Sequence, residues 1–351
     1  MSSKTYVGTK AFGIKGSLID EGTVKKLAEA TSLDELINRL RSTPYSEYLS
    51  GLTPPFEARK VELALRERLA TVHNSLNTSA GKYEILKLYY LKHIAWDLKL
   101  ALKAKALGRS YEDTVGYMDM KAEELVGRRD LLVKVFTSRD LTEAVAAISG
   151  TEFHSDAERA LASYQAKKEV RFFDVYVDHT VLTAISKEYS SNFRVYASPR
   201  ATDVAGVGDL VSIDVDAYNV LTLLRSKLWG VSDAEAKGLI VTPTHRITGA
   251  TLSRIASSDS TSEAVKLIEP AYGSPAQPAQ TDEQMIDGVE ELFVAKTRST
   301  ASKSFYWQGL GPGASLALIK LLEFEVANLS AIAIGIEAKM DSKMILAKLR
   351  V

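Results

Sequence analysis

Apolar residues along the chain return at steps of three and four, the mark of helices that bury one face. Between residues 22 and 41, Val24, Leu27, Ala28, Leu33, Leu36, Ile37 and Leu40 keep that step, and Ser32 with Glu35 forms a capping pair. The pattern predicts a helix pair or a bent helix there. Residues 57–76 carry the same period through Val61, Leu65, Leu69 and Val72, after Pro54 and Pro55, which suit a helix start. Residues 85–107 are apolar almost all round except for a stripe of Lys92, Lys99 and Lys103, which predicts a core helix with one wet edge. Further helices are predicted at 157–185, 213–228, 282–301 and 316–339. Strand-like alternation is confined to 194–196 and 239–242, and a proline-rich loop covers 269–280. The fold class is therefore all-α.

Sliding the chain against itself reveals a repeat. Residues 6–45 align with 114–153 without a gap at an offset of 108, pairing Gly8 with Gly116, Leu33 with Leu141, Glu35 with Glu143, Leu40 with Ile148 and Tyr45 with Phe153. A third copy is read by pairing Arg39–Ser42 with Arg254–Ser257 and Ser46–Leu49 with Ser262–Val265. In the second half of each unit Asp214-x-Asp216-x-x-Asn219 matches Glu323-x-Glu325-x-x-Asn328, and Asp97 takes the place of the two asparagines in the first unit. Gly108 and Gly230 follow eleven residues on as helix ends, whereas the third copy has Lys339 and no expected break. The expected units are 1–113, 114–232 and 233–351, three pseudo-symmetric helical bodies with the proline-rich loop inserted in the last.

Composition narrows the function. With 44 basic and 44 acidic side chains the net charge is zero, which removes the basic surplus expected of a nucleic-acid binder. Residues 1–113 hold 18 basic against 13 acidic side chains, a mild local excess that reads as mixed solvated surface. The absence of cysteine excludes disulfides, cysteine nucleophiles and cysteine-held metals. The stretch that comes closest to a membrane span, residues 326–336, is eleven residues without charge, too short to cross a bilayer, and reads as a buried helix. The first residues lack a signal-peptide core, so a cytoplasmic location is expected.

Chemical motifs are sparse. His73, His93, His154, His179 and His245 include no pair at helical spacing, so no metal site on a single helix is expected. Asp178 and His179, with Ser186 downstream, are read as a polar surface pair, because adjacent helical residues point about 100° apart. The carboxylate pairs Asp214/Asp216 and Glu323/Glu325 stand two apart and so on nearly opposite helix faces, which opposes a dyad. The run from Gly309 to Ser315 lacks the Lys of a phosphate loop and contains Pro312, so it reads as a hinge or a tight helix entry. Asp97, Asn219 and Asn328 are expected to bond nearby backbone and fix helix packing. No catalytic, cofactor or metal residue is expected.

Two stretches then carry a resemblance: the module Leu36, Leu40, Thr43-Pro44-Tyr45, Tyr48-Leu49, and the closing helix Glu323, Glu325, Asn328, Ile332, Gly335. With the length and the repeats, they resemble the C-subunit family of archaeal-type (A-type/V-type) ATP synthases, related to the d-subunit of vacuolar-type ATPases. The proline-rich loop and the aspartate at position 97 depart from the pattern. The resemblance implies a funnel-like, non-catalytic component on the cytoplasmic face of the membrane. It would join the membrane proteolipid ring to the D and F subunits of the central stalk and couple proton or sodium ion flow to ATP chemistry. No direct lipid binding, nucleic acid or cofactor is implied. A helical scaffold unrelated to rotary ATPases shares the composition.

Overall fold

The computed structural model describes residues 3–81, 83–192, 205–307 and 311–350. Among them every regular element is a helix. The chain forms two compact units, Met1–Ser149 with Leu310–Val351, and Gly150–Gly309.

The first unit contains α1 (Ser3–Lys15), α2 (Glu21–Ala28), α3 (Leu33–Leu40), α4 (Ser46–Leu49), α5 (Ala58–Ala80), α6 (Glu84–Ala106), α7 (Tyr111–Val115), α8 (Met120–Leu125), α9 (Arg129–Thr137) and α10 (Leu141–Ala147). The second holds α11 (His154–Lys167), α12 (Arg171–Ser191), α13 (Ala205–Leu228), α14 (Asp233–Lys237), α15 (Gly249–Ser257), α16 (Thr261–Lys266), α17 (Glu269–Tyr272) and α18 (Asp282–Trp307). The chain then returns to the first unit with α19 (Pro312–Glu337) and α20 (Ser342–Leu346).

In the first unit α19 lies chiefly against α5 and α1, so the two ends of the chain share one core. Leu36, Ile37 and Leu40 from α3 meet Leu329 and Ile332 from α19 there, all fully buried. Each such side chain contributes about 1.5–3 kcal/mol by leaving water. In the second unit α13 packs on α18 and α12, and α12 on α11.

The expected helix pair at 22–41 is α2 and α3, with the Ser32 side chain capping α3 at Glu35. The single helix expected at 157–185 is two, because Lys168 turns left-handed (φ 59°) between α11 and α12. Residues 239–242 form no strand, and 194–196 lie outside the described residues. The proline-rich segment opens as helix α17, with Pro270 in its first turn and Tyr272 buried.

The third copy needs a different register. Ser32 accepts Glu35 N–H at 3.2 Å while the Glu35 carboxylate accepts Thr31 N–H at 2.8 Å. Asp140 and Glu143 do the same at 2.9 and 2.8 Å, and Ser260 and Glu263 at 3.2 and 3.2 Å. The counterpart of Ser32 is thus Ser260. Arg254–Ser257 ends α15, one helix earlier than the α3 end where Arg39 sits, so the sequence pairing of Arg39 with Arg254 is displaced.

Candidate functional site

Asp97, Asn219 and Asn328 lie within the long helices α6, α13 and α19 and perform one task. Each side-chain oxygen accepts a backbone N–H from 22 residues further on: Asp119 at 3.1 Å, Val241 at 2.7 Å and Arg350 at 2.7 Å. The path between is alike in all three. Gly108, Gly230 and Lys339 take positive φ of 66°, 60° and 56° at the helix ends. The next residue then bonds back to the carbonyl five before it, Arg109 to Ala104 at 2.9 Å, Val231 to Ser226 at 3.0 Å and Met340 to Gly335 at 2.9 Å. Ser110, Ser232 and Asp341 then cap α7, α14 and α20, each of five residues. The two amides also donate back, Asn219 Nδ2 to Val241 O at 3.1 Å and Asn328 Nδ2 to Arg350 O at 3.3 Å. Each loop is thereby locked to the middle of its own long helix.

The helix break at Lys339 runs against the sequence expectation, because a lysine replaces the usual glycine. A left-handed non-glycine residue carries a backbone penalty of about 1 kcal/mol. Lys339→Gly is therefore expected to stabilise the chain by about 1 kcal/mol, read as a raised midpoint in urea or thermal unfolding.

Three residues before each asparagine stands a buried carboxylate. Asp216 accepts Ile247 N–H at 3.1 Å and the Tyr272 hydroxyl at 2.7 Å. Glu325 accepts Ile19 N–H, the Tyr45 hydroxyl at 2.7 Å and Arg68 Nη1 at 3.2 Å. Burial pushes Asp216 up to about 6, against the pull of Tyr272 and the Ile247 N–H. Burial likewise raises Glu325, opposed by Tyr45, Ile19 and Arg68. The corresponding residue before Asp97 is Ile94, and the partner of Tyr45 in the 108-residue register is Phe153; both are fully buried and apolar. Glu323 turns from the core to Lys320 at 3.4 Å, so the Glu323/Glu325 pair splits between two environments as the spacing requires.

The histidines are placed by tertiary packing that spacing cannot show. His73 on α5 and His93 on α6 meet at 3.2 Å, and His73 Nε2 faces Leu86 O at 2.9 Å. His73 Nε2 must carry the proton given to Leu86, so its Nδ1 accepts from His93. Burial holds His73 well below the ordinary histidine range and His93 at about 3, so both rings are neutral.

His179 is not a surface partner of Asp178. Its Nδ1 donates to Asp156 Oδ2 at 2.6 Å, while Thr180 and Arg159 also donate to Asp156 at 2.9 and 2.8 Å. Burial would raise Asp156, but these bonds hold it below the usual range. Ser186 Oγ donates to Pro243 O at 2.7 Å and so accepts from His245 Nε2 at 3.0 Å. The hydroxyl proton is committed to a carbonyl and the imidazole acts as donor, the reverse of a nucleophile and its base.

At the entry to α19, Gly311 is extended, Pro312 opens the helix, and Ser315 Oγ points to Val7 O at 3.5 Å; residues 309 and 310 lie outside the described residues. Among the described residues no group of three or more His, Cys, Asp or Glu side chains is arranged to hold a metal ion, and no helix is long and apolar enough to cross a membrane.

The polar interior thus belongs to an all-helical protein whose buried amides and carboxylates fasten loops and helices to one another. The family profile described as ATP synthase (C/AC39) subunit matches residues 7–348, and the chain belongs to that family. It is similar to the C-subunit of the A-type ATP synthase of Methanocaldococcus jannaschii, 22% identical over 343 residues, covering 94% of this chain and 82% of that one. The Methanosphaera stadtmanae counterpart, of the same name, is 23% identical over 337 residues, covering 94% and 83%. That of Pyrococcus horikoshii is 22% identical over 351 residues, covering 97% and 88%.

Proposed function

We propose that the chain is the non-catalytic coupling element of a rotary A/V-type ATP synthase. The observation that carries this is the family match along nearly the whole chain, residues 7–348. In this reading units 1–113, 114–232 and 233–351 form a pseudo-threefold funnel, and the recurrence of one side-chain lock at Asp97, Asn219 and Asn328 supports it. One mouth rests on the membrane proteolipid ring and the other receives the D and F subunits of the central stalk. The chain passes torque between proton or sodium ion flow and ATP synthesis or hydrolysis carried out elsewhere. A torque-bearing part needs stiff joints, and locks that tie each loop to its helix, in two directions at Asn219 and Asn328, supply them. The chain is placed peripherally on the cytoplasmic face, held by protein and not by lipid.

The test is sedimentation with membranes. The purified chain is expected to bind vesicles containing the ring and to stay in solution with protein-free liposomes. Equal binding to both would indicate a lipid-binding module, and binding to neither the ring nor the central-stalk partners would leave an unattached helical scaffold.

A further inference from the structure

Asp97 does with a carboxyl group what Asn219 and Asn328 do with an amide, and half of its lock has no counterpart. Where the amide nitrogens donate to a carbonyl, Asp97 Oδ2 is buried and meets no donor. An ionised carboxylate has no hydrogen to give. Glu123 on α8 is fully buried, and neither of its carboxylate oxygens meets a donor either. Its carboxyl lies against that of Asp97. Asp119 Oδ2, in the same place, is also buried without a donor.

The surrounding elements offer little compensation. From α5 come Arg66 and Glu67; Arg66 is already paired with Glu62 at 3.0 Å and stacked 3.7 Å from the Trp96 ring centre. From α6, Tyr90 gives its hydroxyl hydrogen to Ala122 O at 2.9 Å. On α8, Lys121 reaches outward to Glu124, and on α9 Lys134 pairs with Asp130 in solvent. Three facing carboxyls that were all ionised would combine like-charge repulsion with uncompensated burial.

We propose that Asp97 and Glu123 hold one proton between them in neutral solution, so that a carboxyl-to-carboxylate hydrogen bond stands where the other two locks have an amide-to-carbonyl bond. The first lock is then a pH-sensitive version of a device that is permanent elsewhere in the chain. Folding takes the proton up from solvent, and alkaline solution draws it back out as the α6–α8 junction loosens.

The sign follows from burial, which raises both Asp97 and Glu123 and lifts Asp119 to about 6. A carboxyl with a raised native pKa stabilises fully below its unfolded value and loses that contribution as pH climbs through the native one. Stability from this cluster therefore falls from mildly acidic toward alkaline pH.

The experiment is an infrared titration of the full chain with Asp97→Asn and Glu123→Gln beside it. The wild-type chain is expected to show a protonated carboxylic acid at about pH 7 that disappears toward alkaline pH. Glu123→Gln should lose that signal. Asp97→Asn, which restores the amide of the other locks, should raise the folded-to-unfolded ratio in urea at about pH 9 at least tenfold, one pKa unit's worth. No protonated acid in the wild-type chain at neutral pH would overturn the proposal even if a variant failed to fold. So would an unchanged pH slope of stability in Asp97→Asn.

Discussion

Glu325→Ala is expected to remove about 3–5 kcal/mol of stability, the cost of leaving a buried cation unpaired. Arg68 is 3% exposed, and its other side-chain bond is a long one of 3.4 Å to Ser17 Oγ. The same truncation strips a partner from the Tyr45 hydroxyl and from Ile19 N–H, both supplied from the start of the chain to a helix near its end. The lesion should therefore release the N-terminal segment from α19, so limited proteolysis at α1 or α2 should accelerate with the fall in unfolding midpoint. Glu325→Gln keeps an oxygen acceptor and the side-chain volume and should lose less. Equal losses in the two variants would mean that the charge pairing is not what holds this junction.

The second large effect is expected at Asn219. Asn219→Ala orphans the N–H and C=O of Val241, a fully buried residue, and two unsatisfied buried groups cost about 2–4 kcal/mol together. Asn219→Asp retains the acceptor and loses the donor, which makes it a copy of the Asp97 lock. Its stability should fall more steeply with rising pH than that of Asn219→Ala, which keeps only the pH dependence of the carboxyls already present. Urea unfolding of both variants at two pH values reads the difference, and parallel pH profiles would contradict it.

Much of this architecture is legible in sequence wherever the signal is local. Helices follow from apolar steps of three and four. Ser32 and Glu35 announce a cap because capping depends on neighbours in the chain. Asp97, Asn219 and Asn328 stand out because polar residues that fit helices poorly recur within apolar ones. The misplaced register of the third copy has a physical origin: α15, α16 and α17 are short, of nine, six and four residues, and bury too few apolar positions to fix a register by periodicity. Ser260 therefore carries the register through its cap while its neighbours do not. Lys339 hides a helix end because its left-handed turn is imposed by the return of the loop to Asn328 and not by its own preference.

What sequence could not show is whatever depends on separate helices meeting. The spacing argument about histidines holds for one helix, yet His73 and His93 meet across two. Asp178 is next to His179 in the chain, but Asp156 from α11 is the group that orients it. The return of α19 to the core of the first unit is likewise a tertiary fact, through which Met1–Ser149 and Leu310–Val351 form one body.

The most direct measurement is made on an assembled rotary complex with and without this chain, reading ATP hydrolysis and ATP-driven ion translocation in the same vesicles. A coupling role predicts that hydrolysis persists without the chain while the ion gradient vanishes, and that adding the purified chain restores the gradient. An ion gradient of the same size in its absence would contradict that role.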